Sequence, residues 1–353
     1  MSRFFSQKYK DLTPYVPGEQ PKEREYIKLN TNESPFPPSK LAQKLVKKES
    51  GKLYLYSDPE SRELTQTVAR YYGVKKEQVI MTNGSDEVLN FAFMAYCDSE
   101  NPAIFPDITY GFYKVFAEIN NIPYKAIPLK EDFTINVNDY INENGTIFIA
   151  NPNAPTGIYL SLEEIEKLVS SNPNRVVVID EAYIDFGGES AIKLVDKYDN
   201  LLVTQTFSKS RSMAGARLGF GIASSDIILD LVNIKYSTNP YNVNRMTAAA
   251  GIGAINDDKY FKANCKTVIE NREFTMKGLK ALGFSLTESK TNFVFAKSDK
   301  IGGKELYLKL KESGILVRHF EKERIKDYVR ITIGSIGQMQ KLLKQVKNIL
   351  EKI

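Results

Sequence analysis

Apolar residues recur along most of this chain with two alternating periods, one of about 3.6 residues and one of about 2, which predict helices and strands in turn. From about residue 60, helical periodicity covers residues 61–73, 85–97, 110–121 and 161–171. Short apolar runs typical of strands lie at residues 77–82, 103–106, 124–129, 146–151, 175–180, 201–208 and 216–223. Ser161, with Glu164 three positions later, has the pattern of a capping box and marks one helix start. The alternation predicts an α/β fold with one large, mostly parallel sheet that ends at about residue 245.

A different pattern follows and predicts a second, smaller domain. Residues 257–283 have the spacing of one long helix, long enough to join two domains. Beyond it we predict strands at residues 284–287, 292–297, 315–320 and 328–334, and amphipathic helices at 305–314 and 338–353. We therefore divide the chain into an N-terminal arm (1–38), a large α/β domain (39–245) and a small α+β domain (246–353), with the connecting helix at about 257–282. The arm is rich in Pro and turn formers, which is typical of an extended segment that lies on another surface, often a partner subunit.

Composition and charge exclude several classes of protein. With 42% hydrophobic and 26% charged residues, the chain is an ordinary globular sequence. The net charge is +5 and the basic residues are spread along the chain, which disfavours a nucleic-acid partner. No run approaches the roughly 18 apolar residues of a membrane span and residues 1–12 lack an apolar signal core, so we expect a cytoplasmic protein without a membrane partner. Cys97 and Cys265 stand far apart in apolar helical contexts, where we expect free thiols.

The strongest chemical signal is a lysine directly after a predicted strand. Lys209 follows Thr206 and Ser208, and Arg217 comes eight residues later. An amine nucleophile beside hydroxyls and a phosphate-binding arginine suits pyridoxal 5'-phosphate, which carries both an aldehyde and a phosphate. The alternative is an ordinary surface lysine, and the neighbouring motifs decide against it.

A second signal is a carboxylate at the end of an apolar strand. Asp180 follows the run at residues 176–179. A buried carboxylate costs free energy unless a cation pairs with it, and a pyridinium N–H is such a cation. Asp180 would then keep the cofactor ring protonated and able to accept electrons. Alone, the residue also suits a simple turn at a strand end.

Two further loops lie at predicted strand ends. Gly84, Ser85 and Asp86 stand between a strand and a helix, where backbone N–H groups and the Ser85 hydroxyl can cradle a phosphate, although a plain N-cap has the same pattern. Residues 151–157 (NPNAPTG) form a rigid turn. Because open α/β sheets bind ligands at the carboxyl ends of their strands, we expect the four loops to converge.

In order and spacing, these loops resemble the fold-type I family of pyridoxal 5'-phosphate-dependent aminotransferases, over almost the whole chain. The resemblance implies that Lys209 is the Schiff-base lysine, that Asp180 pairs with the pyridine nitrogen and that Tyr183 hydrogen-bonds the ring 3'-oxygen. It also implies that Tyr110 stacks on the ring face.

The resemblance extends to the cofactor phosphate and to a second subunit. The residues that match the family's phosphate contacts are Gly84, Ser85, Asp86, Thr206, Ser208 and Arg217. Tyr56 matches a tyrosine that reaches the phosphate of the neighbouring subunit's cofactor, which implies a homodimer with shared active sites. Taken singly, Tyr56 and Tyr110 also suit ordinary packing.

One position departs from the family pattern. The family usually carries Asn directly before Pro-Thr-Gly, where it holds the cofactor 3'-oxygen, and here that position is Ala154. Asn153 can replace it through a shifted turn, so we keep Asn153 as a candidate cofactor contact. Alternatively, Tyr183 carries the interaction alone. Either arrangement is expected to alter modestly the pKa of the nitrogen that joins Lys209 to the cofactor.

Within this family the chain resembles the histidinol-phosphate aminotransferases of histidine biosynthesis. The motifs that carry this likeness are residues 12–18, 29–35, 151–157, 240–244 and 328–334. The resemblance implies that Arg330 binds the carboxylate of glutamate or the phosphate of histidinol phosphate, with Arg318 and Tyr15 assisting at the phosphate. Two arginines on neighbouring strands suit a dianion, although surface ion pairs are the alternative. The implied reaction transfers an amino group from histidinol phosphate to 2-oxoglutarate.

Other functions remain open at this stage. An aromatic or aspartate aminotransferase, or a threonine-phosphate decarboxylase, would carry the same cofactor loops and Arg330. A non-catalytic cofactor-binding regulator is expected to need an additional DNA-binding segment, for which the chain has no room. No metal site is predicted, because His319 is the only histidine, and no G-x-S-x-G elbow supports a hydrolase.

Overall fold

Thirteen strands and ten α-helices form in the computed structural model, which describes residues 2–10 and 12–353. In chain order the strands are β1 (Ile27–Lys28), β2 (Val79–Thr82), β3 (Ala103–Pro106), β4 (Tyr124–Ile127), β5 (Thr146–Ala150), β6 (Val177–Asp180), β7 (Leu201–Thr206), β8 (Gly219–Ile222), β9 (Phe284–Leu286), β10 (Phe293–Ser298), β11 (Ile315–Leu316), β12 (Arg318–His319) and β13 (Tyr328–Thr332). The helices are α1 (Lys40–Ser50), α2 (Arg62–Tyr72), α3 (Ser85–Tyr96), α4 (Phe112–Ile119), α5 (Leu162–Ser170), α6 (Ser225–Thr238), α7 (Arg245–Asn256), α8 (Asp258–Ala281), α9 (Gly303–Glu312) and α10 (Ile336–Leu350). In this part of the chain, no helix has the length and apolar character that a bilayer crossing requires.

The large sheet has the strand order β2-β8-β7-β6-β5-β3-β4. β8 runs antiparallel to β2 and β7, and the remaining neighbours run parallel, which confirms the predicted mostly parallel sheet. In β5, Ile147 and Ile149 pack into one apolar cluster, while Phe148 and Ala150 pack into another. Because successive side chains of a strand point to opposite faces, the sheet is covered on both sides, and this explains the continuous apolar runs in the sequence.

The small sheet is antiparallel throughout, in the order β12-β13-β10-β9. Val294 of β10 and Ile331 of β13 share an apolar cluster with Leu279 of α8, Leu306 of α9 and Leu342 of α10. Helices therefore cover this sheet, as predicted from the amphipathic segments of the last third of the chain.

The end of the predicted N-terminal arm packs against its own chain. β1 pairs in parallel with β11, and Leu29 is only 1% exposed within the cluster of the small sheet. The Asn32 N–H donates to Thr332 Oγ1 at 2.9 Å. Residues 27–32 are thus held beside β13, because their apolar and polar side chains both find partners there.

The structure differs from the predicted elements at several places. Residues 315–320 were expected to form one strand but form β11 and β12, because the first pairs with β1 and the second with β13. Helices α1, α6 and α7 were not predicted. α7 packs closely against α1, since a Cβ on Gly253 would lie 2.5 Å from the Cα of Ala42. Ala250 of α7 belongs to a core cluster of the large sheet, so that core continues beyond the expected boundary at residue 245.

Candidate active site

Two adjoining cavities lie where β5, β6 and β7 end. The sheet-end cavity has a volume of about 330 Å³ and is lined by Asp180, Lys209, Arg217 and their neighbours. The arginine cavity has a volume of about 450 Å³ and is lined by Tyr15, Arg318 and Arg330 among others. The two cavities share the residues Thr31, Tyr110, Ala154, Tyr183 and Lys209. Lys209 therefore stands where a ligand in one cavity meets a ligand in the other.

The loop between β7 and β8 positions Lys209. The Phe207 N–H donates to the Leu218 carbonyl at 2.9 Å, and the Met213 N–H donates to the Phe207 carbonyl at 3.0 Å, so the loop closes on itself. The Lys209 Nζ donates to the Thr31 carbonyl at 3.3 Å. Burial and the nearby Arg330 guanidinium lower the pKa of the Lys209 amine to about 8. About a tenth of this amine is therefore neutral and nucleophilic at pH 7, far more than for an ordinary lysine.

Asp180 is a buried carboxylate at the end of β6, with 5% of its surface exposed. The Tyr113 hydroxyl donates to its Oδ2 at 3.1 Å, and the Ala182 N–H donates to its Oδ1 at 3.3 Å. Burial raises the pKa of the Asp180 carboxyl to about 7, because neutral donors replace little of the lost hydration. A cationic N–H in the sheet-end cavity would complete this site.

The other end of the sheet-end cavity suits an anion. Ser85 opens α3, and the Arg217 Nη2 lies 3.0 Å from Asp86 Oδ2. Gly84 has φ +82°, which favours glycine, and its lack of a Cβ lets the Arg217 guanidinium approach, since a Cβ there would lie 2.8 Å from it. Asp86 also accepts a hydrogen bond from the Tyr110 hydroxyl at 2.7 Å. A helix N-terminus beside an arginine is a favourable phosphate site.

Two hydroxyls extend this anion site. The Ser208 N–H donates to Thr206 Oγ1 at 3.1 Å, and the Thr206 hydroxyl lies 3.0 Å from Ser208 Oγ. Both side chains line the sheet-end cavity with Ser85 and Arg217. The structure thus brings the predicted phosphate contacts together around one end of the cavity.

Tyr183 lies in the wall that the two cavities share. Its hydroxyl oxygen accepts a hydrogen bond from Asn32 Nδ2 at 2.9 Å. The Phe293 ring packs edge-on against the Tyr183 ring, with 5.1 Å between centroids. The Lys209 Nζ lies 5.8 Å from the Tyr183 ring centroid. Tyr183 is therefore held at both its ring and its hydroxyl, next to the nucleophile.

Asn153 does not reach either cavity. Its Oδ1 accepts from the Thr109 hydroxyl at 2.8 Å, and its Nδ2 donates to the Ile108 carbonyl at 2.9 Å. These bonds hold the turn at residues 151–157, and Ala154 rather than Asn153 lines the cavities. The structure does not bring Asn153 to the position in which we expected a cofactor contact, because the turn itself uses its amide.

The arginine cavity contains two guanidinium groups on paired strands. Arg318 of β12 stands directly opposite Arg330 of β13 in antiparallel register. The Arg330 Nη2 donates to the Asn30 carbonyl at 3.1 Å, while its Nε is buried and has no hydrogen-bond partner among the described residues. Arg318 donates to the carbonyls of Val16 and Pro17 at 2.9 and 3.1 Å. Both guanidinium groups therefore have further N–H donors that can bind a ligand.

Tyr15 and Tyr56 have different surroundings. The Tyr15 ring stacks on Phe112, with 4.4 Å between centroids, and lines the arginine cavity as predicted. Tyr56 is 80% exposed, stacks on Tyr241 at 4.6 Å and lines neither cavity. The structure of one chain therefore does not bring Tyr56 to the site.

Sequence reasoning missed two residues of this site. Tyr113 donates to Asp180, and Asn32 donates to Tyr183. Tyr113 lies three residues after Tyr110 at a predicted helix start, a spacing that places two side chains on one face. Asn32 belongs to a motif noted at residues 29–35, but its partner is 151 residues away, so no local signal connected them.

Comparisons with known proteins bear on this site. The model of the family "Aminotransferase class I and II" matches residues 24–346. A histidinol-phosphate aminotransferase of Brachyspira hyodysenteriae is 49% identical over 99% of this chain and 100% of the relative. A histidinol-phosphate aminotransferase of Clostridium botulinum (strain Kyoto / Type A2) is 46% identical over the full length of both chains. Relatives of the same length and similar sequence thus share one name.

Solved structures show the same fold. Histidinol-phosphate aminotransferase from Sinorhizobium meliloti, in complex with pyridoxal-5'-phosphate, superimposes with a TM-score of 0.90 at 20% identity, covering 100% of this chain and 99% of the other. L-threonine-O-3-phosphate decarboxylase from Porphyromonas gingivalis gives a TM-score of 0.79 at 22% identity, covering 92% and 99%. These likenesses confirm the predicted fold-type I architecture. Since a decarboxylase shares it, the fold alone does not select the reaction.

Proposed function

Since the chain belongs to the family of class I and II aminotransferases, we propose that it transfers the amino group of L-histidinol phosphate to 2-oxoglutarate. The products are imidazole acetol phosphate and L-glutamate, in histidine biosynthesis. The full-length relatives at 46–49% identity carry this name, which supports the same activity here. Pyridoxal 5'-phosphate is the cofactor that this activity requires.

The single observation that carries the substrate class is the pairing of Arg318 with Arg330. Like charges directly opposite each other on two strands destabilise a sheet. Both side chains line the cavity that also contains Lys209, so an anion bound between them offsets the repulsion next to the nucleophile. The phosphate of histidinol phosphate and the carboxylates of glutamate are such anions.

The residues of the sheet-end cavity fit pyridoxal 5'-phosphate. Among the described residues no cation forms an ion pair with Asp180, whose pKa burial raises to about 7, and a pyridinium N–H would supply one. Ser85, Thr206, Ser208 and Arg217 suit the phosphate. We assign the 3'-oxygen to the Tyr183 hydroxyl and the ring face to Tyr110. When bound, the cofactor supplies an aldehyde for an amine and a ring that accepts the electrons released as the substrate α-proton leaves.

Lys209 then has two tasks. Its Nζ, whose pKa is lowered to about 8, would hold the cofactor through its aldehyde, because part of this amine is neutral near neutral pH. The Nζ would also take the proton from the substrate α-carbon. Asp180 would place its negative charge at the ring nitrogen. The second half-reaction uses the same groups in reverse, which gives ping-pong kinetics.

We also propose a homodimer in which Tyr56 reaches the cofactor phosphate of the neighbouring subunit. Residues 53–56 expose four large side chains, by 60, 83, 50 and 80% in order. Exposed apolar stretches of this kind favour an interface with another chain. Mixing Lys209→Ala chains with Tyr56→Ala chains tests the sharing, since only a hybrid dimer with shared sites combines an intact Lys209 with an intact Tyr56. Recovered activity supports the proposal, and mixtures that stay as inactive as the parents oppose it.

A half-reaction experiment tests the substrate. The cofactor-loaded enzyme is mixed in turn with histidinol phosphate, phenylalanine, aspartate and threonine phosphate, and the visible absorption of the cofactor is followed. Histidinol phosphate should change the visible absorption of the cofactor faster than the other donors do, and at a lower concentration. Release of CO₂ from threonine phosphate, without amino transfer from histidinol phosphate, would overturn the proposal in favour of a decarboxylase.

A further inference from the structure

Ala154 leaves the cofactor 3'-oxygen without the side-chain amide that the family usually places there. The amide that the structure places next to Tyr183 belongs instead to Asn32, whose Nδ2 lies 2.9 Å from the Tyr183 hydroxyl oxygen. We propose that Asn32 is a positioning residue, which donates to Tyr183 and thereby directs the Tyr183 hydroxyl proton onto the 3'-oxygen of bound pyridoxal 5'-phosphate. This inference rests on the role of Tyr183 proposed above.

The hydrogen bonds around Asn32 determine which way each proton points. The Asn32 N–H donates to Thr332 Oγ1 at 2.9 Å, so the Thr332 hydroxyl proton must go to another acceptor. That acceptor is Asn32 Oδ1, at 3.0 Å. Since Oδ1 accepts from Thr332, the amide group that faces Tyr183 is Nδ2, which can only donate. The Tyr183 oxygen accepts this bond and keeps its own proton for an acceptor in the cavity.

Asn32 is held firmly enough to act in this way. It is 1% exposed, and its backbone carbonyl accepts from Asn292 Nδ2 at 3.0 Å. Its φ is +55°, in the left-handed region that Asn adopts more readily than most other residues. Because hydrogen bonds already hold its N–H, carbonyl and side chain, Asn32 loses little further conformational entropy when it orients Tyr183.

The same framework reaches the substrate side. Thr332 lies two residues after Arg330 on β13, so both side chains point to one face of the strand. Arg330 donates to the carbonyl of Asn30, and Thr332 bonds Asn32. Residues 30–32 therefore connect the substrate arginine with the tyrosine that contacts the cofactor.

The decisive variant is Asn32→Asp, which keeps the size of the side chain but replaces the donor with an acceptor. The Tyr183 hydroxyl would then donate to the carboxylate and not to the cofactor. The readout is the pH midpoint of the visible absorption of the bound cofactor. A donor at the 3'-oxygen withdraws electron density and acidifies the nitrogen joined to Lys209, so its loss raises the midpoint.

We expect Tyr183→Phe to raise the midpoint by about one pH unit, as the loss of one hydrogen bond predicts. Asn32→Asp should raise it in the same direction. The double variant should shift it no further than Tyr183→Phe alone, because Asn32 acts only through Tyr183. Additive shifts would show that the new carboxylate acts by its charge, and would overturn the inference.

Two more variants protect the test against a folding defect. Thr332→Val removes the hydroxyl that orients the Asn32 amide and should raise the midpoint by less than Asn32→Asp does. Ala154→Asn, added to Asn32→Asp, restores the usual amide of the family and should bring the midpoint back toward that of the unmodified enzyme.

Asn271→Leu is the matched control. Asn271 is 6% exposed, and its Nδ2 donates to the Gly334 carbonyl at 3.0 Å, away from Tyr183. This variant should lower the unfolding temperature of the cofactor-free protein without moving the midpoint. An unchanged midpoint in Tyr183→Phe would remove the proposed role of Tyr183. If the midpoint shifts in Tyr183→Phe but in neither Asn32→Asp nor Thr332→Val, the proposed role of Asn32 is wrong, whereas that of Tyr183 stands.

Discussion

The walls of the two cavities are built in different ways. The sheet-end wall takes Asp180 from the end of β6, and Lys209 and Arg217 from the loop between β7 and β8 of the large sheet. The arginine wall takes Arg318 and Arg330 from paired strands of the small sheet, and Tyr15 from the distant N-terminal segment. Chemistry and substrate selection thus depend on separate parts of the chain. We expect variants of the first wall to impair the reaction of every substrate, and variants of the second wall to impair only the binding of anionic ones.

The largest effect should come from Lys209→Ala. The variant loses both the nucleophile and the group that moves the α-proton, so kcat should fall by about 10,000-fold or more for every amino donor. Single-turnover kinetics with histidinol phosphate and glutamate measure this. Turnover of histidinol phosphate at the original rate would refute the assignment of Lys209.

Asp180→Asn should have the next largest effect. It keeps the shape but removes the charge that stabilises the protonated ring, so we expect kcat to fall by about 100- to 1,000-fold for all donors alike. The affinity for pyridoxal 5'-phosphate should also weaken, as fluorescence titration can show. A loss confined to one substrate would contradict the separation of the two walls.

Arg330→Ala tests the second wall. Removing one partner of a buried charged contact should raise KM for histidinol phosphate and for glutamate by about 100-fold, with the affinity for the cofactor unchanged. Arg330→Lys keeps the charge without the planar fork and should be intermediate. If the cofactor affinity falls as far as it does in Asp180→Asn, the two walls do not act separately.

Arg318→Gln should have a smaller effect. Arg318 lies at the more open edge, where it also binds the carbonyls of Val16 and Pro17. We expect KM for histidinol phosphate to rise by about 10-fold or less, since a solvated charge contributes less than an enclosed one. The ratio of KM values for histidinol phosphate and 2-oxoglutarate reports whether Arg318 serves the phosphate in particular. An unchanged ratio would assign both anions to Arg330.

A further prediction concerns the stability of the cofactor-free protein. The pKa of the Asp180 carboxyl is about 7, against an ordinary value of 3.8, so the folded state binds this proton more readily than the unfolded state does. The contribution of Asp180 to stability should therefore fall as pH rises from about 4 to about 7, by a few kcal/mol at most. Denaturant unfolding of the unmodified protein and of Asp180→Asn measures the difference. Comparing the two proteins removes the contribution of Glu181, whose pKa burial also raises to about 7. A difference that stays constant across this range would contradict the assignment.

Local patterns were enough to predict most of the first wall. Lys209, Asp180 and Ser85 each stand at the end of a strand or the start of a helix that apolar periodicity already marked. Parallel strands bring such ends to one edge of the sheet, so the convergence follows from the fold class. The structure does not place Asn153 at either cavity, because its amide bonds Thr109 and Ile108, which lie 44 and 45 residues away in the chain. Sequence patterns do not show which neighbours form the hydrogen bonds of a buried polar side chain.

Helices α1 and α7 show the same limit in the fold. α7 is rich in Ala and Gly, so its apolar periodicity is weak, and its packing on α1 depends on the close approach that Gly253 permits. The division of residues 315–320 into β11 and β12 depends on two different pairing partners, and one of them, β1, is distant in the sequence.

By itself, the sequence determined the α/β class, the order of the chemical motifs and the identity of Lys209, Asp180 and Arg217 as a group, because each of these depends on local periodicity or spacing. The tertiary structure alone decided that Arg318 faces Arg330, that Asn32 donates to Tyr183 and that Asn153 is turned away. The first depends on strand register, the second joins residues 151 positions apart, and the third depends on which partner a buried polar side chain finds. Strand register and competition for hydrogen bonds settle such choices only after the chain has folded.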